Sequence, residues 1–302
     1  MPSRWTSWAI ILFWTGMMAW LTGSELYHRF ATRPRFPETL AASARAGKVH
    51  WVITELESAG RPLKEGEAPP ERFLGTATTE VRFDARQAKY QLIQDIYLKE
   101  LFGTGFSLLL NSRADVNVFG RLQGIHFRAQ VSELDLHLDL HGVPDGAGKM
   151  AVSASLRVAG EQQEFQQQVD YDGSDLVLSS LCPLDRMPGL RPGQTWRTPL
   201  LDPVQSLLGQ SLPQANASFV ELSRPFATVR VWDQPQGLLW RGEYVPCLVV
   251  EALHGTRSIK IYVREADGLV LRQTAELGGL SPRILAVTRD PKRAPKDSEP
   301  RE

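Results

Sequence analysis

The chain has 302 residues, 42% of them hydrophobic, which is enough to bury at least one sizeable core and leaves room for two modest domains. Lys plus Arg balance Asp plus Glu at 34 each, so no overall field draws nucleic acid or an acidic polymer from a distance, and a nucleic-acid role is not expected. The two cysteines, Cys182 and Cys247, lie far apart without a C-x-x-C pair, which argues against a thiolate zinc site or a thioredoxin-like redox centre.

The first element is an uncharged run at 5–21, about 25 Å long as a helix at ~1.5 Å per residue. Extended to 23, with snorkelling ends, it matches a hydrocarbon core of about 30 Å. Trp5 and Trp20 fall where such a span meets the two interfaces. Residues 1–23 are therefore expected to form a transmembrane signal anchor. A cleaved secretory leader is the alternative, with Thr22-Gly23-Ser24 as a fair cleavage site. Either way the remainder is exported. Arg29, Arg33 and Arg35 lie after the span while Arg4 alone precedes it, and that asymmetry taken by itself favours the opposite orientation. The very short tail ahead of the apolar run, and the exported character of the strand-rich body, place that body outside the cytoplasm.

Residues 24–47 read as a linker, with Pro34 and Pro37 followed by an Ala-rich stretch at 40–46 suited to a short helix. From residue 48 the pattern changes to period two. Strands are expected at 48–57, 72–83, 89–99, 106–116, 120–130, 131–141, 149–158, 164–171 and 176–180. The strongest alternation is Leu134, Leu136, Leu138 and Leu140 against Glu133, Asp135, His137, Asp139 and His141. Residues 143–148, Val-Pro-Asp-Gly-Ala-Gly, supply the turn after it. A Pro- and Gly-rich break at 182–193 divides a β domain at 48–180 from a second β segment or domain at 181–289. Asp202 and Pro203 open a short helix at 203–209. Strands then resume at 217–222, 225–232, 238–243, 246–253, 258–264, 269–276 and 282–289, with Asp267-Gly268 as a hairpin signal. The tail at 290–302 is charged and Pro-rich and is expected to be disordered.

Leu190-Arg191-Pro192-Gly193-Gln194-Thr195-Trp196, with Ile261-Tyr262-Val263-Arg264-Glu265-Ala266-Asp267-Gly268-Leu269-Val270-Leu271-Arg272 downstream, resembles uncharacterised bacterial membrane-anchored exported β-domain proteins. Those are similar in outline to the lipoprotein-carrier fold, an incomplete, strongly curved antiparallel sheet around a short helical plug. The resemblance covers about 181–289 and implies a mainly β chain with a short helix. It also implies an apolar or lipid-like ligand held in the sheet, without assigning any ligand-contacting residue.

The candidate chemistry is sparse. Asp135, His137, Asp139 and His141 share one face of the expected strand, and His and carboxylate groups in that array suit zinc or manganese in a hydrolase. Neighbours on one face of a strand are about 7 Å apart, so one ion needs a further ligand from an adjacent strand, such as His126. The plainer reading, a solvated outer face, is preferred, and no cofactor is assigned. His50 and His254 have no acid or nucleophile in a recognised spacing, and no G-x-S-x-G occurs. Cys182 and Cys247 can form one disulfide in an oxidising compartment, or pack separately as small apolar residues. The expected role is binding or structural rather than enzymatic. The partners are the membrane, through the N-terminal helix, and an apolar ligand or envelope protein.

Overall fold

The computed structural model describes Met17 and residues 36–56, 70–100, 105–170, 184–199, 226–254, 257–277 and 283–292. Apart from Met17, the apolar segment at 5–21 lies outside these residues. So do Cys182, the strands expected at 176–180 and 217–222, the helix expected at 203–209, and all but the start of the tail. No helix among the described residues is long and apolar enough to cross a membrane.

One α-helix is described, α1 (Phe36–Ala46), longer by one turn than the Ala-rich stretch suggests. Pro37 sits in its first turn with Glu38, Arg45 lies in its last, and Gly47 comes next at φ 73°, which suits the two ends of a short helix. The chain then runs through β1 (Val49–Leu56), β2 (Glu71–Asp84), β3 (Lys89–Leu98), β4 (Leu108–Asn117) and β5 (Leu122–Val131). It continues with β6 (Leu136–Pro144), β7 (Lys149–Val158), β8 (Glu161–Asp170) and β9 (Thr195–Pro199). The C-terminal part holds β10 (Phe226–Val231), β11 (Gln236–Trp240), β12 (Glu243–His254), β13 (Arg257–Arg264), β14 (Val270–Leu277) and β15 (Arg283–Arg289).

All fifteen described strands belong to one antiparallel sheet, ordered β8-β7-β6-β5-β4-β3-β2-β1-β15-β14-β13-β12-β10-β9, with β11 paired to β12 beside this path. Among the described residues the sheet is not closed by hydrogen bonds. β1 pairs with β2 on one side and β15 on the other, so two meanders meet at the first described strand.

Two apolar clusters explain the curvature. The first gathers Trp51 and Ile53 of β1 and Ile96 of β3 with Val250 of β12, Val263 of β13 and Leu285 of β15. Leu110 of β4 and Trp196 of β9 also pack against it. Strands far apart in the order thus share one core, which requires this part of the sheet to curl back towards itself. The second cluster lies under α1: Leu40 meets the β2–β7 region through Val81, Leu92, Leu140, Met150 and Val152. A mainly β body with an antiparallel sheet and a short helix is what the sequence pattern leads one to expect.

The strand expected at 131–141 is shorter than its alternation suggests. Ser132–Leu134 form a single 3-10 turn, and Asp135 adopts φ 43° with its N–H on the Ser132 carbonyl at 3.2 Å. The Glu133 carboxylate fixes that turn by accepting hydrogen bonds from Ser107 N–H at 3.1 Å and Ser107 Oγ at 2.8 Å. Leu134 is consequently exposed, and only Leu136 onward belongs to β6. Other turns obey their residues. Asp145 Oδ1 accepts from Ala147 and Lys149 N–H in the β6–β7 loop. Asp267 Oδ1 accepts from Arg264 Nε at 2.8 Å and Leu269 N–H at 3.2 Å in the β13–β14 loop.

Among the described glycines, Gly75 has the least room for a side chain. A Cβ at that position would lie 1.9 Å from the Tyr97 carbonyl oxygen of β3. Gly75→Ala is expected to destabilise the fold by about 2–3 kcal/mol through this overlap. Gly146→Ala, at φ 77° in open space, is expected to cost only about 1 kcal/mol through its left-handed backbone. Denaturant unfolding of the two variants measures the difference, and equal midpoints would contradict the steric account.

Candidate functional site

In paired strands, residues directly opposite one another project to the same face. On the face of β3–β8 away from the two clusters, register therefore builds continuous rows. One row runs Tyr97, Leu109, Gln130, His137, Arg157, Gln162. The next runs Asp95, Asn111, Arg128, Asp139, Ser155, Glu164. Between and along them lies an open groove of about 310 Å³, whose lining includes Asn111, Arg128, Gln130, His137, Arg157 and Gln162.

Ion pairs hold the groove's charged side chains. Asp139 accepts from Arg128 Nε at 2.6 Å and lies 2.9 Å from His126 Nε2. Asp135 accepts from Arg157 Nη2 at 3.3 Å and lies 3.4 Å from His137 Nε2. Asn111 Nδ2 donates to Asp95 Oδ1 at 2.8 Å. Gln162 Nε2 donates to Ser155 Oγ at 3.2 Å and Glu164 Oε1 at 3.3 Å. Each guanidinium meets its carboxylate through a single nitrogen and retains further N–H groups for a ligand. Partial burial pushes the Asp139 carboxyl up, but the hydrogen bonds and charges of Arg128 and His126 outweigh it and hold the group below the usual carboxylate range.

This geometry does not gather the four residues considered as metal ligands into one cluster. Asp135 belongs to the turn before β6 and faces Arg157 and His137. Asp139 is engaged by Arg128 and His126. His141 lies opposite His126, with the ring centroids 5.9 Å apart in an edge-on arrangement. Among the described residues, no three His, Cys, Asp or Glu side chains come together as a metal would require. His126 does pair across from this strand, yet it meets Asp139 rather than completing an ion site. Asn111, Gln130, Arg157 and Gln162 carry no motif of their own in the sequence and are brought in by register alone.

Cys247 is buried and free, and its thiol donates weakly to the Val245 carbonyl at 3.5 Å. Burial pushes this thiol up to about 11.

The described residues define a mainly β protein built on one open antiparallel sheet, with a filled inner side and an open trough of mixed polar and apolar lining outside. No protein-family model matches the chain, and no curated protein matches it. Among solved structures, it is similar to a β-barrel-like protein of the domain of unknown function DUF1849 from Brucella abortus. The two are 10% identical, with a TM-score of 0.42 over 81% of this chain and 96% of that one.

The Asp139 arrangement has a measurable consequence. Because its folded-state pKa is depressed, its pairing stabilises the protein above the unfolded carboxylate range, and this contribution is lost as pH falls through the folded value. Arg128→Ala is expected to raise the Asp139 midpoint towards the ordinary value of about 3.9, read by carboxyl carbon NMR titration. An unmoved midpoint would show that Arg128 does not act on it. For Cys247, alkylation at pH 8 is expected to be slow in the folded chain and fast in denaturant, and rapid native labelling would contradict its burial.

Proposed function

We propose that this chain is a membrane-anchored extracytoplasmic binding protein that takes a polar envelope ligand in the groove across β4–β8. The groove itself carries this reading: two guanidinium groups, three carboxamides, a histidine and the Asp139 carboxylate, with Leu109 and Leu138 among them, line one open trough of about 310 Å³. A concavity in which a few polar groups converge beside apolar lining is the usual form of a binding site.

The choice of face rests on packing. Leu40, Leu140 and Met150 are 0% exposed and Trp51 is 1% exposed, so the inner side of the described sheet is filled by the protein's own side chains. An acyl chain there would have to displace α1 or part of the first cluster. A ligand on the outer side displaces only water. A binding role is also favoured over hydrolysis at the Asp135, His137, Asp139 and His141 face, because both carboxylates are already engaged by arginines. Anchoring and export rest on the uncharged 5–21 segment and its flanking tryptophans.

Two measurements in one cell preparation test this reading. In intact spheroplasts, added protease is expected to digest the body of the full chain, and digestion only after lysis would refute an extracytoplasmic body. A photoreactive benzoylphenylalanine at Gln130, within the groove, is expected to give a crosslinked adduct in living cells, whereas the same group at Arg82 is not. Adducts at neither position, or equal adducts at both, would refute binding at the groove.

A further inference from the structure

We propose that two copies of this chain pair antiparallel through the outer edge of β8, on a two-fold axis at Phe165, and so join their sheets into one.

The sheet ends in two strands of different character. β9, at one end of the order, spans five residues and carries Arg197 and Pro199, a length and composition that discourage further pairing. β8, at the other end, runs for ten residues and has a pairing partner among the described residues on one side only, β7. Its register with β7 is unbroken from end to end, and it holds no Pro, Gly, Lys or Arg. A long regular edge of that kind presents a row of backbone N–H and C=O groups to an added strand.

Self-complementarity selects the occupant. Residues 162–168, Gln-Gln-Glu-Phe-Gln-Gln-Gln, read nearly the same in both directions about Phe165. An antiparallel copy centred there sets Gln162 opposite Gln168, Gln163 opposite Gln167, Glu164 opposite Gln166, and Phe165 opposite its own copy. A carboxamide both donates and accepts, so each Gln–Gln and Glu–Gln pair can hydrogen-bond across the seam. No carboxylate meets another in this register. Moving the centre to Glu164 opposes two glutamates, and moving it to Gln167 sets Glu164 against Asp170.

Packing separates the Phe165 centre from the remaining choice, Gln166, which would set Phe165 opposite Gln167. Phe165 shares the inner side with Ala154, its partner on β7, and is half-buried against the second cluster. Gln162, Gln163, Glu164, Gln166 and Gln168 are exposed. Two phenyl rings paired on the axis cover each other and carry the second cluster from one copy into the next. Opposite residues share a face, so the outer grooves of the two copies lie on one side and meet at the seam. There the partner's Gln168 stands beside Gln162, a residue of the groove lining.

The test is sedimentation velocity of the full chain in detergent over a range of concentrations, with a charge cycle at the seam. The unsubstituted chain is expected to dimerise reversibly. Gln166→Glu opposes carboxylates at two symmetric points and is expected to weaken the dimer about tenfold. Gln166→Lys gives Glu164 a cation and is expected to hold or tighten it, and Gln166→Glu combined with Glu164→Lys is expected to restore it. Phe165→Cys in a Cys182→Ser background is expected to give a disulfide-linked dimer on mild oxidation, whereas Arg82→Cys in that background is not. A monomer at every concentration, or a dimer indifferent to Gln166→Glu, overturns the proposal. Equal weakening by Gln166→Glu and Gln166→Lys overturns the Phe165 axis. If Phe165→Cys with Cys182 retained forms a disulfide within one chain and no linked dimer, the edge is taken by the chain's own following segment, and the proposal falls.

Discussion

The double pairing of β1 is the constraint on which the rest of the sheet depends. This first described strand lies between β2 and β15, so the last described strand returns to it and the two meanders become one sheet. Trp51 stands at that junction. Its indole Nε1–H donates to Thr79 Oγ1 of β2 at 2.9 Å, and its ring faces the guanidinium of Arg289, its cross-strand partner on β15, at 5.8 Å. Arg289 in turn donates to Asp185 at 2.5 Å, and both side chains are at most 5% exposed. Asp185 also accepts the Val270 N–H through its carbonyl, and Met187 N–H donates to the Gly268 carbonyl at 2.7 Å. One buried ion pair thereby ties the segment after residue 184 to β14 and β15. A pair of this kind adds little net stability over an apolar substitute, but losing one partner strands the other charge and costs about 3–5 kcal/mol. Its effect is to fix where the segment docks.

That docking determines which face stays available. Leu184 reaches the second cluster and Met187 the first, so the same short segment closes part of both cores. Together with α1 it fills the inner side of the sheet. The opposite side of β3–β8 stays exposed. There the first cluster's neighbour Leu110 alternates with Leu109 and Asn111, which point outward into the groove. Core and groove are thus two faces of one alternation, and a one-residue slip between β4 and β5 would exchange them.

Much of the architecture is legible in the sequence because strand alternation and turn chemistry are local. The strand at 149–158 coincides with its expected limits, and the Asp267-Gly268 signal lies in the β13–β14 turn. The Leu134-to-Leu140 alternation misleads at its start, because a distant partner, Ser107, holds Glu133 in a turn that no local pattern reveals. β9 has no strand signal of its own: Thr195 and Trp196 read as the end of a turn, and only pairing with β10 makes them a strand. Two tight hairpins, Ala159-Gly160 and Arg241-Gly242, place a non-glycine residue at positive φ, so half of the usual hairpin signal is absent from them. The candidate site is the least legible part. His137, Asp139 and His141 can be seen as one face of a strand, but Arg128 and Arg157 come from strands whose register no sequence spacing fixes.

The electrical neutrality of the whole chain also bears on how the groove would work. With equal numbers of acidic and basic residues, there is no long-range field to raise the encounter rate, so selectivity must come from contact geometry. Ion pairs that are weak contributors to stability become useful in this setting. Asp139 restrains Arg128 and Asp135 restrains Arg157 before any ligand arrives, which lowers the conformational entropy lost on binding. They also set a threshold: a ligand must offer hydrogen bonds at least as well placed as those of water and the resident carboxylates. The paired charges of the trough therefore leave contact geometry, rather than net charge, to distinguish one occupant from another.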